Sequence, residues 1–140
     1  MEFGMKRTLT LSAAVAAAFL SVLVVGATPA VASGESLVLS HGDAYNYLKV
    51  EGSGLSVTQV SMNHAHATQN VCQWHAEWRG TRSSGTAWSA SSAYHAGCAV
   101  LGYVDYAYPN INFKNGTVIR GIAWDNAART GGEPTVAISG

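Results

Sequence analysis

Residues 71–79 constrain the fold more than any other stretch. Cys72, Trp74, Ala76 and Trp78 recur there at every second position, with Gln73, His75, Glu77 and Arg79 between them. Successive side chains of a strand point to opposite faces, so this alternation predicts a strand with one dry face and one wet face. The rest of the chain agrees with it. Leu, Glu and Lys are scarce in the C-terminal three quarters, while Gly, Ser, Thr, Val, Trp and Tyr dominate, which is the chemistry of strands and turns.

Further strands are predicted at residues 36–40, 46–51, 55–67, 98–108, 111–113, 117–124 and 135–139, with a Ser-rich strand or loop at 86–93. Gly52-Ser53-Gly54 marks a bend or bulge, Thr68-Gln69-Asn70 a turn, Pro109-Asn110 a stop, and Asn115-Gly116 a two-residue hairpin. Seven or eight short strands at this spacing predict an all-β fold, a single antiparallel β-sandwich of immunoglobulin-like style, with a small barrel as the alternative. Trp74 and Trp78 beside Cys72 fit a sandwich that packs indoles against an inter-strand disulfide.

The N-terminus reads as an export signal. Met5-Lys6-Arg7 is a basic head, residues 9–27 are uncharged and apolar or small, and Ala30-Val31-Ala32 is a small-x-small cleavage triplet. The strongly apolar part, 13–27, is about 15 residues, short of the roughly 20 that a spanning helix needs. Residues 1–32 are therefore expected to be a signal peptide, with Met1-Glu2-Phe3-Gly4 ahead of it as an alternative start or cloning remnant. Residues 33–140 are expected to be one secreted, extracellular β domain with no membrane anchor after cleavage.

Cys72 and Cys98 are the only cysteines. In an exported chain an even pair predicts one disulfide. Closing a loop of about 26 residues contributes roughly 3 kcal/mol in chain-entropy terms, a large share of the ~5–15 kcal/mol stability of such a domain. Eight basic residues balance eight acidic ones, with no run of either sign. Nucleic acid and anionic membranes are excluded as partners, because phosphate binding needs a basic stripe.

Two local phrases, Val50-Glu51-Gly52-Ser53-Gly54-Leu55 and Pro134-Thr135-Val136-Ala137-Ile138-Ser139, resemble the enediyne-antibiotic apoproteins, whose fold is immunoglobulin-like and which carry a chromophore. The export signal and overall style are similar to small secreted β-sandwich proteins of high-GC Gram-positive bacteria. The apoprotein family carries two disulfides and this chain can form one, so no residue role is carried over.

Candidate chemistry rests on histidine and tyrosine. His64-Ala65-His66 places two imidazoles on one strand face, roughly 6–7 Å apart. A hairpin at 68–70 would set His75 opposite them, and three imidazoles suit Zn²⁺ or Cu²⁺. The plain alternative makes all three ordinary residues on the wet face. Tyr45, Tyr47, Tyr103, Tyr106 and Tyr108, with Asp105, offer a platform for a glycan, while Trp74, Trp78 and Trp124 are expected in the core. Catalytic motifs are absent: there is no GxSxG, HExxH or Gly-rich phosphate loop. Asp105 and Asp125 are the only acids considered as a glycosidase-like pair. The reading is a secreted, non-enzymatic binding or interaction module without cofactor, its ligand a glycan, a cell-wall component, another protein or a small hydrophobic molecule. A metal-binding protein using the histidine cluster is the first alternative, and a small secreted hydrolase the second.

Overall fold

A computed structural model describes residues 31–140; residues 1–30, the body of the expected signal, lie outside the described residues. The described chain forms strands and turns without a helix. In order they are β1 (Gly34–Leu39), β2 (Ala44–Ser53), β3 (Ser56–His66), β4 (Val71–Thr81), β5 (Ala87–Ser91), β6 (His95–Ala99), β7 (Gly102–Ala107), β8 (Ile111–Asn112), β9 (Val118–Asp125), β10 (Ala128–Arg129) and β11 (Thr135–Ala137). All pairings are antiparallel. One sheet runs β1-β2-β3-β7, with β8 also on β3. The other runs β10-β9-β4-β5, with β6 also on β4 and β11 on β9. The two sheets pack as a β-sandwich.

The inner faces follow from period two. The first sheet contributes Leu48, Val50, Val57, Val60 and Met62, and the second Ala76, Trp78, Ile119 and Ala123, all essentially buried. Each large side chain so buried contributes about 1.5–3 kcal/mol. Trp88 meets Phe113 edge to face, centroids 5.1 Å apart. The sheets approach closely at Gly121, where a Cβ would lie 2.7 Å from the Met62 sulfur. Trp78 and Trp88 are core, and Trp74 packs against it. Trp124 differs from expectation. It is on the outer face of the second sheet, stacked on His75 with centroids 5.0 Å apart.

Three local expectations change. Residues 98–108 are two strands in different sheets, because the chain turns at Val100 and Leu101, with Leu101 at φ 59°. Both residues favour strands, so the apolar pattern concealed the break. Asn115-Gly116 does make a turn, with Gly116 at φ 79° and the Thr117 N–H donating to the Lys114 carbonyl at 3.0 Å. Its flanks do not pair with each other, however: β8 pairs with β3 and β9 with β4. The short hairpin is instead at Asn126 and Ala127, at φ 51° and 58°, joining β9 to β10. Ala127 lacks the glycine signature expected at such a site.

Cys72 and Cys98 form the expected disulfide, as directly opposed residues of β4 and β6 within one sheet. A bulge at Gln73, φ 48°, shifts the register next to it. Trp74, Ala76 and Trp78 keep the inner face, while Val71 rather than Cys72 is buried at the strand start. At the N-terminal end of the described chain the Val31 N–H donates to the Ser139 carbonyl at 2.9 Å, and Ala32 is fully buried.

Candidate metal centre

On β3 the inward stripe is Val60, Met62, His64 and His66. The imidazoles thus continue the core face and do not lie on a wet one, which corrects the sequence expectation. His64 is buried, with 1% of its side chain exposed, and His66 is at the rim with 13%. On β9 the inward stripe is Ile119, Gly121, Ala123 and Asp125. Small residues at 121 and 123 let the two sheets approach, and Asp125 meets the histidines across the sandwich. Potential ligand atoms of His64, His66 and Asp125 all lie within 4.8 Å of one another. The Asp125 Oδ2 is 3.2 Å from the His66 Nε2 and 3.7 Å from the His64 Nε2.

Each of the three is held from behind. The Asn46 Nδ2 donates to the Thr130 Oγ1 at 3.0 Å and to the carbonyls of Gly131 and Gly132 at 2.8 and 2.7 Å. Those bonds fix the amide, so Asn46 turns its Oδ1 to the His64 Nδ1 at 2.6 Å. The Oδ1 only accepts, so the His64 Nδ1 carries the proton and its Nε2 is a bare lone pair. That Nε2 is buried and has no hydrogen-bond partner. The Asp125 Oδ1 accepts the Cys72 backbone N–H at 3.0 Å, which leaves Oδ2 for the histidines. Asp43 lies behind His66, with Oδ1 at 3.1 Å from Nδ1, and the Thr68 hydroxyl donates to its Oδ2 at 2.7 Å.

Electrostatics follow from these contacts. Burial holds the His64 imidazole below its ordinary pKa, keeping it neutral. The Thr68 hydroxyl, then His66, lower the Asp43 carboxyl. His66 lies between two carboxylates. Its Nδ1 is within hydrogen-bond distance of the Asp43 Oδ1 and its Nε2 of the Asp125 Oδ2, at 3.1 and 3.2 Å. Only the tautomer protonated at Nδ1 frees its Nε2, and in that tautomer two imidazole lone pairs and a carboxylate oxygen converge. A tetrahedral cation with ligands at ~2.0–2.1 Å needs this donor set, after a small inward adjustment. Backing groups of this kind are what orient metal-binding imidazoles.

His75 does not join the cluster. Residues 67–70 carry the chain from the first sheet to the second instead of closing a hairpin, so the assumed register of His75 opposite His64 does not exist. His75 is on the outer face of the second sheet, with its Nε2 3.4 Å from Glu77. Asp125 takes the place foreseen for it. The sequence did carry that signal, in the period-two stripe from Ile119 through two small residues. Asn46 and Asp43 were missed because nothing local distinguishes an outer-sphere amide or carboxylate.

The aromatic platform divides. Tyr45, Tyr47 and Tyr106 lie on the outer face of the first sheet, Tyr45 opposite exposed Leu39, Tyr47 opposite exposed Leu37, and Tyr106 opposite Ser61 in the row of Lys49 and Glu35, and Tyr108 extends that face just beyond β7. The Tyr47 hydroxyl bonds to Glu35. Tyr103 and Asp105 turn inward. The Tyr103 hydroxyl donates to the His75 carbonyl at 2.8 Å, its ring stacks on Trp74 at 4.2 Å, and burial raises its phenol pKa.

Ser92, His95 and Asp105 also meet, but not as a hydrolase triad. The Ser92 hydroxyl donates to the Asp105 Oδ2 at 2.5 Å, while the His95 Nε2 is 3.6 Å from the Asp105 Oδ1. The carboxylate, not an imidazole, accepts the hydroxyl's hydrogen bond, so no histidine is placed to activate the serine. Asp105 and Asp125 belong to separate clusters and do not pair. No protein-family model, curated protein or solved structure matches the chain.

Proposed function

We propose that the protein is an exported metal-binding β-sandwich that holds one divalent transition-metal ion, Zn²⁺ or Cu²⁺, through the His64 Nε2, the His66 Nε2 and the Asp125 Oδ2. The observation that carries this is the His64 Nε2. A buried acceptor without a partner costs about 1–3 kcal/mol. Here the Asp125 Oδ2 and the His66 Nε2 lie beside it in contact with each other, and a cation taken up in place of the proton between them would satisfy all three at once. Two nitrogens and one oxygen form a borderline set suited to Zn²⁺ or Cu²⁺ rather than to Ca²⁺ or Mg²⁺, which prefer all-oxygen shells. The disulfide supports export, since such bonds persist in oxidising compartments.

The test is titration of chelator-treated protein with Zn²⁺ and Cu²⁺ by calorimetry, with thermal unfolding in parallel. Expected are one equivalent bound and a melting point raised by roughly ten degrees at a hundredfold excess over Kd. Equal, weak binding by the parent and His64→Ala would remove the proposal.

The outer face of the first sheet supports a second reading, contact with an extracellular glycan through Tyr45, Tyr47, Tyr106 and Tyr108. Tyr106 and Tyr108 are half or more exposed. Retention on insoluble polysaccharide that Tyr106→Ala and Tyr108→Ala leave unchanged would discard it.

A further inference from the structure

A recess of about 200 Å³ opens in front of His64, His66 and Asp125, and His41 lines it from the connection between β1 and β2. We propose that His41 is a fourth ligand: its imidazole turns in from the mouth of the recess and closes the shell of the ion held by His64, His66 and Asp125. The inference rests on the metal reading and adds the group that completes it.

His64, His66 and Asp125 supply three donors. A structural Zn²⁺ site has four protein ligands in a tetrahedron, whereas a catalytic one leaves the fourth position to water or substrate. The three donors reach inward from β3 and β9, so a fourth ligand enters from the recess. Other polar groups of its wall are committed or unsuited. The Ser40 hydroxyl donates to the Thr130 carbonyl at 2.7 Å, and the Thr130 hydroxyl accepts from Asn46 and donates to the Gly131 carbonyl at 3.2 Å. The Arg129 guanidinium pairs with Glu133 and has no lone pair to give. His41 is exposed, and its imidazole makes no hydrogen bond among the described residues.

The backbone under His41 is tied to the site at several points. Residues 40–44 form a tight turn: the Ser40 N–H donates to the Ala44 carbonyl at 2.9 Å, the Ala44 N–H to the His41 carbonyl at 3.3 Å, and Gly42 is at φ 67°. Asp43 of the same turn backs His66. Gly131 and Gly132, at φ 72° and 60°, press against this turn. A Cβ on Gly131 would stand 3.0 Å from the His41 Nε2, and one on Gly132 2.3 Å from the Leu39 carbonyl oxygen. The carbonyls of the same two glycines hold Asn46, which orients His64. One turn and one glycine pair thus fix the His41 backbone relative to both histidine ligands. Capture then costs the rotamer freedom of one side chain rather than the ordering of a loop. A shell completed by His41 keeps water off the ion, so the site holds metal instead of activating water.

Co²⁺ serves as the test, because its visible bands report coordination directly, and azide probes for an open position. Metal-free parent and His41→Ala are titrated with Co²⁺ and then with azide at constant ionic strength. Because His41 is exposed, the two should melt alike without metal. Azide should leave the parent's bands in place. His41→Ala should bind Co²⁺ about tenfold more weakly, and its bands should shift saturably as azide takes the vacated position. Equal Co²⁺ affinity in the two proteins would overturn the proposal. An equal azide response would do the same, whether both spectra shift or neither does. If the parent develops no protein-bound Co²⁺ spectrum at all, the metal reading itself fails and this inference falls with it.

Discussion

Histidine and aspartate meet at two places in this sandwich, and only one of them resembles a binding site. At His64, His66 and Asp125 each side chain is held from behind, by Asn46, Asp43 and the Cys72 N–H, and the His64 Nε2 is left without a partner beside the contact of His66 with Asp125. At His95 and Asp105 the arrangement is reversed. Asp105 accepts a hydrogen bond from the Ser92 hydroxyl, the Ser92 oxygen accepts the Ala76 N–H at 2.8 Å, and the His95 ring stacks on Trp74 with centroids 3.6 Å apart. There the polar groups satisfy each other and the ring serves as packing. Residue type is nearly the same in both clusters. What differs is whether donors and acceptors cancel locally.

The most direct way to break the comparison is to exchange the two histidines' roles by mutation. His64→Ala should lower Zn²⁺ affinity at least a hundredfold, whereas His95→Ala should leave it within about twofold, read by calorimetry. Loss in both would mean that the clusters are not distinct. A smaller effect is expected behind the ligands. Asn46→Ala should cost roughly 10–100-fold in affinity, because it frees the His64 ring to change tautomer. Zn²⁺ binding unchanged in that variant would show that the amide does not set the ring.

Smaller again is a change confined to stability. Ser92→Ala should destabilise the fold by about 1–3 kcal/mol in denaturant melts, since it strips a partner from both Asp105 and the Ala76 N–H, with no effect on metal affinity. The last comparison uses pH. Burial lowers the His64 pKa, so between its folded value and the ordinary ~6.5 the unfolded chain binds more protons. Metal-free protein should therefore lose stability as pH falls through 6.5 and below, and His64→Gln should flatten the profile. A melting point that rises on acidification would contradict the neutral, dry imidazole.

Much of the architecture was readable because period two is a strong signal where one face is dry. The strands around residues 36–40, 46–51, 55–67 and 71–79 are all present, and the Gly52 region does carry a register shift. The failures share a cause. Val100 and Leu101 are strand formers used in a turn, and Asn126-Ala127 is a hairpin turn without glycine, so local composition misstated both. For the site, the His64-His66 pair was recognised as ligand-like but assigned to the wrong face. That followed from joining β3 to β4 as a hairpin, when the chain in fact crosses to the other sheet. Parity along β3 from Val60 and Met62 was the better guide, because it needs no assumption about strand partners. Asp125 became legible only once β3 and β9 faced each other, a long-range fact no local window holds.

On the proposed reading, the contact between Asp125 and the Cys72 amide links metal capture to thiol oxidation. Asp125 is steered by a main-chain group whose own residue is covalently clamped to Cys98. With the bond open, the start of β4 is held to β6 by hydrogen bonds alone, and the carboxylate loses a fixed anchor. On that reading crosslinking comes first and ion loading second, and the reduced chain would hold the ion less well.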